Sequence, residues 1–227
     1  MGIDWITAEA ELDARGCAVL PALLDEAQCA RLRAGWDEPT QFRSEVAMAR
    51  HGYGSGAYRY FAYPLPEPIA ALRKALYPPL AGIANRWANV LGTPGFPHEH
   101  ADFLARCHAA GQTRPTPLLL RYEAGDWNAL HQDLYGEHVF PLQVAVLLSR
   151  PDEEFTGGEL VLTEQRPRMQ SRAEVVSLRQ GDAVLFPVRE RPVKGTRGWH
   201  KRAMRHGVSR VRSGLRFTLG LIFHDAR

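Results

Sequence analysis

His131 and Asp133 stand one residue apart in "LRYEAGDWNALHQDLYGEH", residues 120–138, between two apolar runs. On a strand, residues i and i+2 point to the same face, so this imidazole and carboxylate can aim together at one divalent metal. The pair alone is a weak signal. Nine His and ten Asp in 227 residues give about 0.4 such pairs by chance. A second pair does occur, His100-Ala101-Asp102. It falls in "HEHADFLARCHAAG", which reads as a helix, where i and i+2 diverge by about 200°. There His98 and Asp102 are i, i+4 neighbours, and a cap or surface pair suits them better than a metal.

A third ligand has to come from elsewhere in the chain. His138, His200, His206 and His224 lie downstream. His206 opens "HGVSRVRSGLRFTLGLIF", read as a turn leading into the last strong strand. His200 sits in the basic stretch "KGTRGWHKRAMR", read as a loop, and a surface position is expected for His224 near the chain end. His206 is therefore the chosen ligand. Two His and one carboxylate on one side of a metal leave positions open for reactants, the arrangement of non-haem Fe(II) oxygenases.

Ten residues after His206 comes Arg216, inside the apolar run "GLRFTLGLIF", on the face of Thr218 and opposite Phe217 and Leu219. A guanidinium turned into an apolar interior needs an anion. Its planar fork matches a carboxylate. The competing reading is a solvated face with Arg216 on it.

These side chains need a scaffold, and the sequence divides near residue 115. Before that point the texture is helical. "TAEAELDARG" has Thr7 as cap and Gly16 as terminator, and "DEAQCARLRAGW" has Asp25 as cap. "PEPIAALRKALYPPLAGIANRWANVLG" carries Ile69, Leu72, Leu76, Leu80, Ile83, Trp87, Val90 and Leu91 at helical spacing. Between them, "HGYGSGAYRYFAYPLP" reads as an irregular Gly/Tyr-rich segment, either core packing or a lid with aromatic contacts. From about residue 116, short β-branched and apolar runs alternate with Gly, Pro and Asp, which predicts seven or eight strands. The expected fold is α+β: a helical support region over 1–115 packed on a double-stranded β-helix (jelly-roll or cupin-like) core over 116–227, as one integrated domain.

Composition bounds the rest. The 45% hydrophobic and 23% charged fractions are those of an ordinary globular protein. Cys17, Cys29 and Cys107 form no CxxC spacing and no even-numbered framework. A reducing cytoplasm is the expected location, with no membrane span and no secretory leader at the N-terminus. The net charge of +3 permits an anionic partner without demanding one.

The H-x-D pair, the distant His and the Arg ten residues on, with "GGEL" between them, resemble the Fe(II)/2-oxoglutarate-dependent dioxygenases. The spacing is that of the prolyl-hydroxylase-like branch, in which a tyrosine placed like Tyr122, nine residues before His131, helps hold the cosubstrate. The likeness covers residues 117–224. "YRYFAYPLP", "GQTRPTPLLLRYEAGDWNALHQDLYGE" and "TGGELVLTEQRPR" further resemble one bacterial family of such oxygenases, labelled with oxidative demethylation of damaged nucleic-acid bases. AlkB-type repair enzymes usually end in Arg-x-Asn-x5-Arg, and here no Asn follows His206. The resemblance implies Fe(II) held by His131, Asp133 and His206. It also implies 2-oxoglutarate paired with Arg216, assisted by Tyr122 and Thr218, and O2 as oxidant, with succinate and CO2 released.

Two substrate readings follow. "VRERPVKGTRGWHKRAMRHG", residues 188–207, carries seven Lys and Arg against one acid, Glu190. As a loop over 189–205 it would attract the phosphates of DNA or RNA, with Arg197, Trp199, Lys201, Arg202 and Tyr135 as contact candidates. A solvated charged loop is the plain alternative. A protein side chain or a small metabolite is the other substrate class, and a non-catalytic jelly roll that binds an anion or nucleic acid is the reading without chemistry.

Overall fold

The computed structural model describes every residue except Met1, Pro167 and Arg197. The chain begins with α1 (Trp5–Arg15), β1 (Ala18–Leu20), α2 (Glu26–Ala34), β2 (Phe42–Ala47), β3 (Gly54–Ser55) and β4 (Ala57–Phe61), followed by α3 (Glu67–Leu91) and α4 (His100–Ala109). Ten strands complete it. They are β5 (Leu118–Glu123), β6 (Trp127–His131), β7 (Leu142–Leu147), β8 (Phe155–Gly157), β9 (Leu160–Gln165), β10 (Arg172–Val176), β11 (Ala183–Pro187), β12 (Glu190–Gly195), β13 (Gly198–Val208) and β14 (Val211–Ile222).

The expected helices are present, with one change of cap. The side chain of Asp4, not Thr7, accepts from the Thr7 amide at 3.1 Å, so the first helix starts three residues earlier than expected. Asp25 caps α2 in a reciprocal box with Gln28. The helix α3 runs through Pro78 and Pro79. Pro in a helix interior breaks backbone bonds. The buried stripe of Ile69, Leu72, Leu76, Leu80, Ile83 and Trp87 on both sides of the break holds the helix on the core. Each such buried aliphatic side chain contributes roughly 1.5–3 kcal/mol.

All strand pairs in two sheets are antiparallel. The larger sheet has the order β1-β11-β7-β14-β5-β4-β2, with β8 added beside β14. The smaller has the order β10-β9-β13-β6-β3, with β12 added beside β13. Their facing surfaces enclose the jelly-roll interior. The outer face of the larger sheet is covered by the helices, through Leu119, Val144, Val146, Leu185, Leu219 and Leu221. Its inner face meets the smaller sheet through Val184 and Phe186 against Leu160, Leu162 and Met204. Burial on both faces explains why β11 reads as an unbroken apolar run, and β7 as one interrupted only by Gln143, and not as alternating ones.

The first 115 residues are less purely helical than expected. The Gly/Tyr-rich segment is not irregular: it forms β3 and β4, which pair with β6 and β5 respectively. The β1 and β2 strands join the larger sheet as well. Short strands on a sheet edge carry too few residues for a periodic pattern to show. Among the described residues, no helix is long and apolar enough to cross a membrane.

Candidate active site

The strand β13 carries His206 directly opposite His131 at the end of β6. The register between them is irregular. His206 pairs with His131 and Val208 pairs with Asn128, so two steps on β13 span three on β6. The extra residue is a β-bulge, a device that re-aims a side chain at a sheet rim. Gly207 faces it, and a Cβ at that position would lie 2.6 Å from the Asn128 carbonyl oxygen. Only glycine permits this approach. Within the bulge, one ring nitrogen of His131, Nδ1, lies 2.8 Å from the Ala129 carbonyl. That bond places the proton on Nδ1 and leaves Nε2 with its lone pair for a metal.

Asp133 follows beyond the strand end and completes the group. Its carboxylate lies 3.2 Å from His206 Nε2 and 3.7 Å from His131 Nε2, and the two imidazole centroids are 4.2 Å apart. One ligand atom from each of the three residues falls within 4.8 Å of the others. Two imidazoles and one carboxylate converging from one side fit a divalent first-row metal with open positions opposite. Tyr135 donates its hydroxyl to Asp133 at 2.6 Å, and Tyr60 lies 3.0 Å from the Tyr135 hydroxyl. Burial alone would raise the Asp133 carboxyl. The hydrogen bond and charge of His206, the charge of His131 and the Tyr135 hydroxyl outweigh burial and hold the carboxyl well below the usual carboxylate range. Burial and the neighbouring His206 lower the pKa of His131. A carboxylate and an uncharged imidazole are the forms that bind metal.

Arg216 lies on β14, on the inner face of the larger sheet, and is 3% exposed. It lines the same cavity as His131, Asp133 and His206, together with Tyr122, Asn128, Gln143 and Thr218. The guanidinium donates to the Thr218 hydroxyl at 2.6 Å, while its Nε is buried without a partner. No carboxylate pairs with it among the described residues. Burial pulls its pKa down to about 10, so it remains a cation at neutral pH. Tyr122 is fully buried, stands opposite Arg216 in the β14–β5 register, and receives a hydrogen bond from Asn128 at 3.3 Å. A buried cation with open donors at the floor of a cavity whose wall holds three metal-binding groups fits an anion that also reaches the metal. Gly158, of the "GGEL" stretch, makes room for it: a Cβ there would lie 2.9 Å from the Arg216 side chain.

The remaining sequence candidates separate. His200 is not in a loop; it lies on β13 and is exposed. His224 is not at the surface but fully buried, and burial lowers its pKa to about 4. The chain end is pinned inward because Asp225 is buried against Arg73, which no local pattern announces. His100 points into the core and lies 2.8 Å from the Phe223 carbonyl, while His98 pairs with Glu99 at the surface. The basic 189–205 segment is not a loop but the β12–β13 hairpin, paired from Glu190↔Ala203 to Gly195↔Gly198. Residues 198–202 of β13 pair only with β12, because β9 begins its pairing at Ala203. The hairpin thus projects past the end of the smaller sheet where His131 and His206 sit. Trp199 is 44% exposed on it, and Lys201 pairs with Glu190 at 2.6 Å. Arg202 is held by Glu164 at 2.5 Å, and Tyr135 is turned onto Asp133. Arg197 lies outside the described residues. The bulge, Gly207, Asn128 and the Tyr60–Tyr135 pair were not singled out from sequence. The glycine after His206 was their one local sign.

Comparison with known proteins adds to this geometry. Residues 56–226 match the family model Oxygenase-NA, described as an oxygenase catalysing oxidative methylation of damaged DNA. An uncharacterised protein of Mycobacterium tuberculosis is 54% identical over 171 residues, 75% of this chain and 73% of that protein. Among solved structures, a prolyl-4-hydroxylase of Pseudomonas putida has a TM-score of 0.59 at 14% identity, covering 98% of this chain and 99% of the other. A 2OG-Fe(II) oxygenase family oxidoreductase of Burkholderia pseudomallei has a TM-score of 0.57 at 18% identity, covering 100% and 94%. At these identities the structural likeness concerns the fold.

Proposed function

The chain belongs to the Oxygenase-NA family, and from that premise we propose that its substrate is an alkylated base in DNA or RNA, from which it removes a methyl group. The protein is an enzyme, a dioxygenase that depends on Fe(II), 2-oxoglutarate and O2. Fe(II) with 2-oxoglutarate and O2 supplies a hydroxylation, and an N-methyl group so hydroxylated breaks down to formaldehyde and the bare amine. That outcome takes a methyl group away, so demethylation is the sense in which this chemistry acts on a methylated base.

The roles of the residues are part of the proposal. His131, Asp133 and His206 hold the iron, and their convergence within 4.8 Å is the observation that carries the reading. The Ala129 carbonyl orients His131, and Tyr135 orients Asp133 by donating to the carboxylate oxygen. Such bonds fix ligand direction and raise metal affinity. Arg216 binds the far carboxylate of 2-oxoglutarate through its unused donors, with Thr218 holding the guanidinium and Tyr122 walling the pocket. The apolar lining of Leu118, Leu120, Val184 and Phe186 keeps water from the reacting centre.

The projecting hairpin supports a nucleic-acid partner. Lys194 and the exposed Trp199 offer phosphate attraction and a stacking surface on the hairpin that runs on beyond the metal end of the sheet. Formaldehyde and succinate release is to be assayed across methylated oligonucleotides, peptides and free amino acids. Release with methylated oligonucleotides and not with the others is expected. Release with peptides or amino acids alone would overturn the nucleobase proposal and leave the dioxygenase intact.

A further inference from the structure

Beside the metal-binding group lies a second cavity that the preceding assignments leave without an occupant. It opens next to His131 and Asp133, and its wall is built by Tyr53, Tyr58, Tyr60, Tyr135, Leu130 and Leu134. Three of the tyrosines come from the Gly/Tyr-rich segment that forms β3, β4 and the turn before them. Tyr58 meets Tyr60 edge-on at 5.3 Å and 83°, and Tyr60 meets Tyr135 edge-on at 6.1 Å and 87°. The rings are held in mutual contact, so they are stiff walls and not swinging side chains. Tyr53, 50% exposed at the rim, is stacked on His51 at 5.3 Å and 22°, and His51 does not line the cavity. The ring of Tyr53 is thus braced from the side away from the cavity.

The charge pattern narrows the occupant. Among the described lining residues there is no Lys, Arg or Glu, and the one acid is Asp133, a member of the metal-binding group. The Tyr60 and Tyr135 hydroxyls are tied to each other and to Asp133, and the Arg43 guanidinium already lies over the Tyr60 ring at 4.4 Å, which leaves the rings of Tyr53 and Tyr58 and aliphatic surface for a guest. Among the described lining residues no fixed cation is offered to an anion. A flat ring stacks on such walls, and a cationic one is drawn further by the ring quadrupoles.

Resting on the nucleobase reading above, we infer that this tyrosine-lined cavity is the subsite for the base to be oxidised, and that it selects a heteroaromatic ring that is neutral or cationic. An adenine methylated at a ring nitrogen that bears no hydrogen is such a ring and carries a positive charge.

The test is equilibrium binding under anaerobic conditions, with the protein loaded with Mn(II) and 2-oxoglutarate. The probes are a short single-stranded DNA oligonucleotide with one ring-N-methylated adenine and the same oligonucleotide without the methyl group, read by fluorescence anisotropy. The wild type is expected to favour the methylated strand. Leu130→Asp and Tyr53→Ala, both at exposed positions, are each expected to weaken that preference by about tenfold, the order of one stacking contact. Unchanged melting and an unchanged Fe(II)–2-oxoglutarate absorption band in the variants establish that fold and metal site are intact. A wild-type preference that both folded variants retain in full overturns the subsite and leaves the nucleobase reading standing. Absence of any preference in the wild type overturns that reading, and the subsite with it.

Discussion

Arg73 and Arg191 are as deeply buried as Arg216, yet their surroundings differ from those of Arg216. Arg73 lies on the buried side of α3 and donates to Asp225 at 3.1 Å and to the Ile222 carbonyl at 2.9 Å. Arg191, on β12, grips Glu164 through two nitrogens and reaches the Asp13 carbonyl with a third. Arg216 has only the Thr218 hydroxyl, and no carboxylate among the described residues. A guanidinium with its acid supplied by the chain is a tie between elements; Asp225 also takes the Tyr63 hydroxyl at 2.7 Å and fastens the chain end to the helices. A guanidinium without one is an unmet electrostatic demand inside a cavity, which a ligand carboxylate can satisfy. Burial and residue type are the same in all three places. The missing acid is the observation that supports the proposed binding role of Arg216.

The largest expected effect breaks the comparison on the metal side. Asp133→Ala should abolish turnover and the visible band formed by Fe(II) with 2-oxoglutarate under anaerobic conditions, while the protein still folds. A persistent band in that variant would remove Asp133 from the metal site. Next come the two kinds of arginine. Arg73→Ala leaves Asp225 buried without its guanidinium partner and should cost about 3–5 kcal/mol of stability, read as a drop in denaturation midpoint. Arg216→Met strands no acid, so its melting temperature should stay near that of the wild type. Its affinity for 2-oxoglutarate should fall by about 2–5 kcal/mol, roughly thirtyfold or more, with iron binding kept. Equal loss of iron and 2-oxoglutarate in Arg216→Met would place this arginine with the structural pair.

Smaller effects sharpen the picture. Gly207→Ala pushes a methyl group against the Asn128 carbonyl across the bulge and should cost about 1–3 kcal/mol. Its Co(II) affinity, followed by the visible spectrum, should weaken too, because His131 is re-aimed. A variant with wild-type metal affinity would show that the bulge is not what orients His131. Smallest of all, Lys194→Ala on the hairpin should lower the slope of log affinity against log salt for single-stranded DNA by about 0.7. An unchanged slope would take this lysine out of the nucleic-acid contact.

Much of this was legible in sequence where the signal is local. His131 and Asp133 are marked by their spacing, although β6 ends at His131 and Asp133 follows just past it, and α3 follows from an apolar stripe long enough to override its two prolines. Arg216 is conspicuous because a charge interrupts an apolar run. The errors share a different origin. His224 was expected at the surface, yet Asp225 and Arg73 draw the chain end inward. The Gly/Tyr-rich segment became strands because β5 and β6 offer it edges. Arg202, a contact candidate by composition, is occupied by Glu164 from β9.

The chain alone therefore determined which groups exist and which neighbours share a face: an imidazole and a carboxylate in step, a second imidazole, and a lone guanidinium among aliphatic residues. Those facts depend on residue type and on the two-residue period of a strand. Only the tertiary structure decided that His206 lies across from His131, that a bulge opposite Gly207 aims the first imidazole, and that Arg216 has no acid among the described residues while Arg73 and Arg191 do. The physical reason is that cross-strand register and charge pairing join segments distant in the chain, and the free energy that selects them is that of the packed whole.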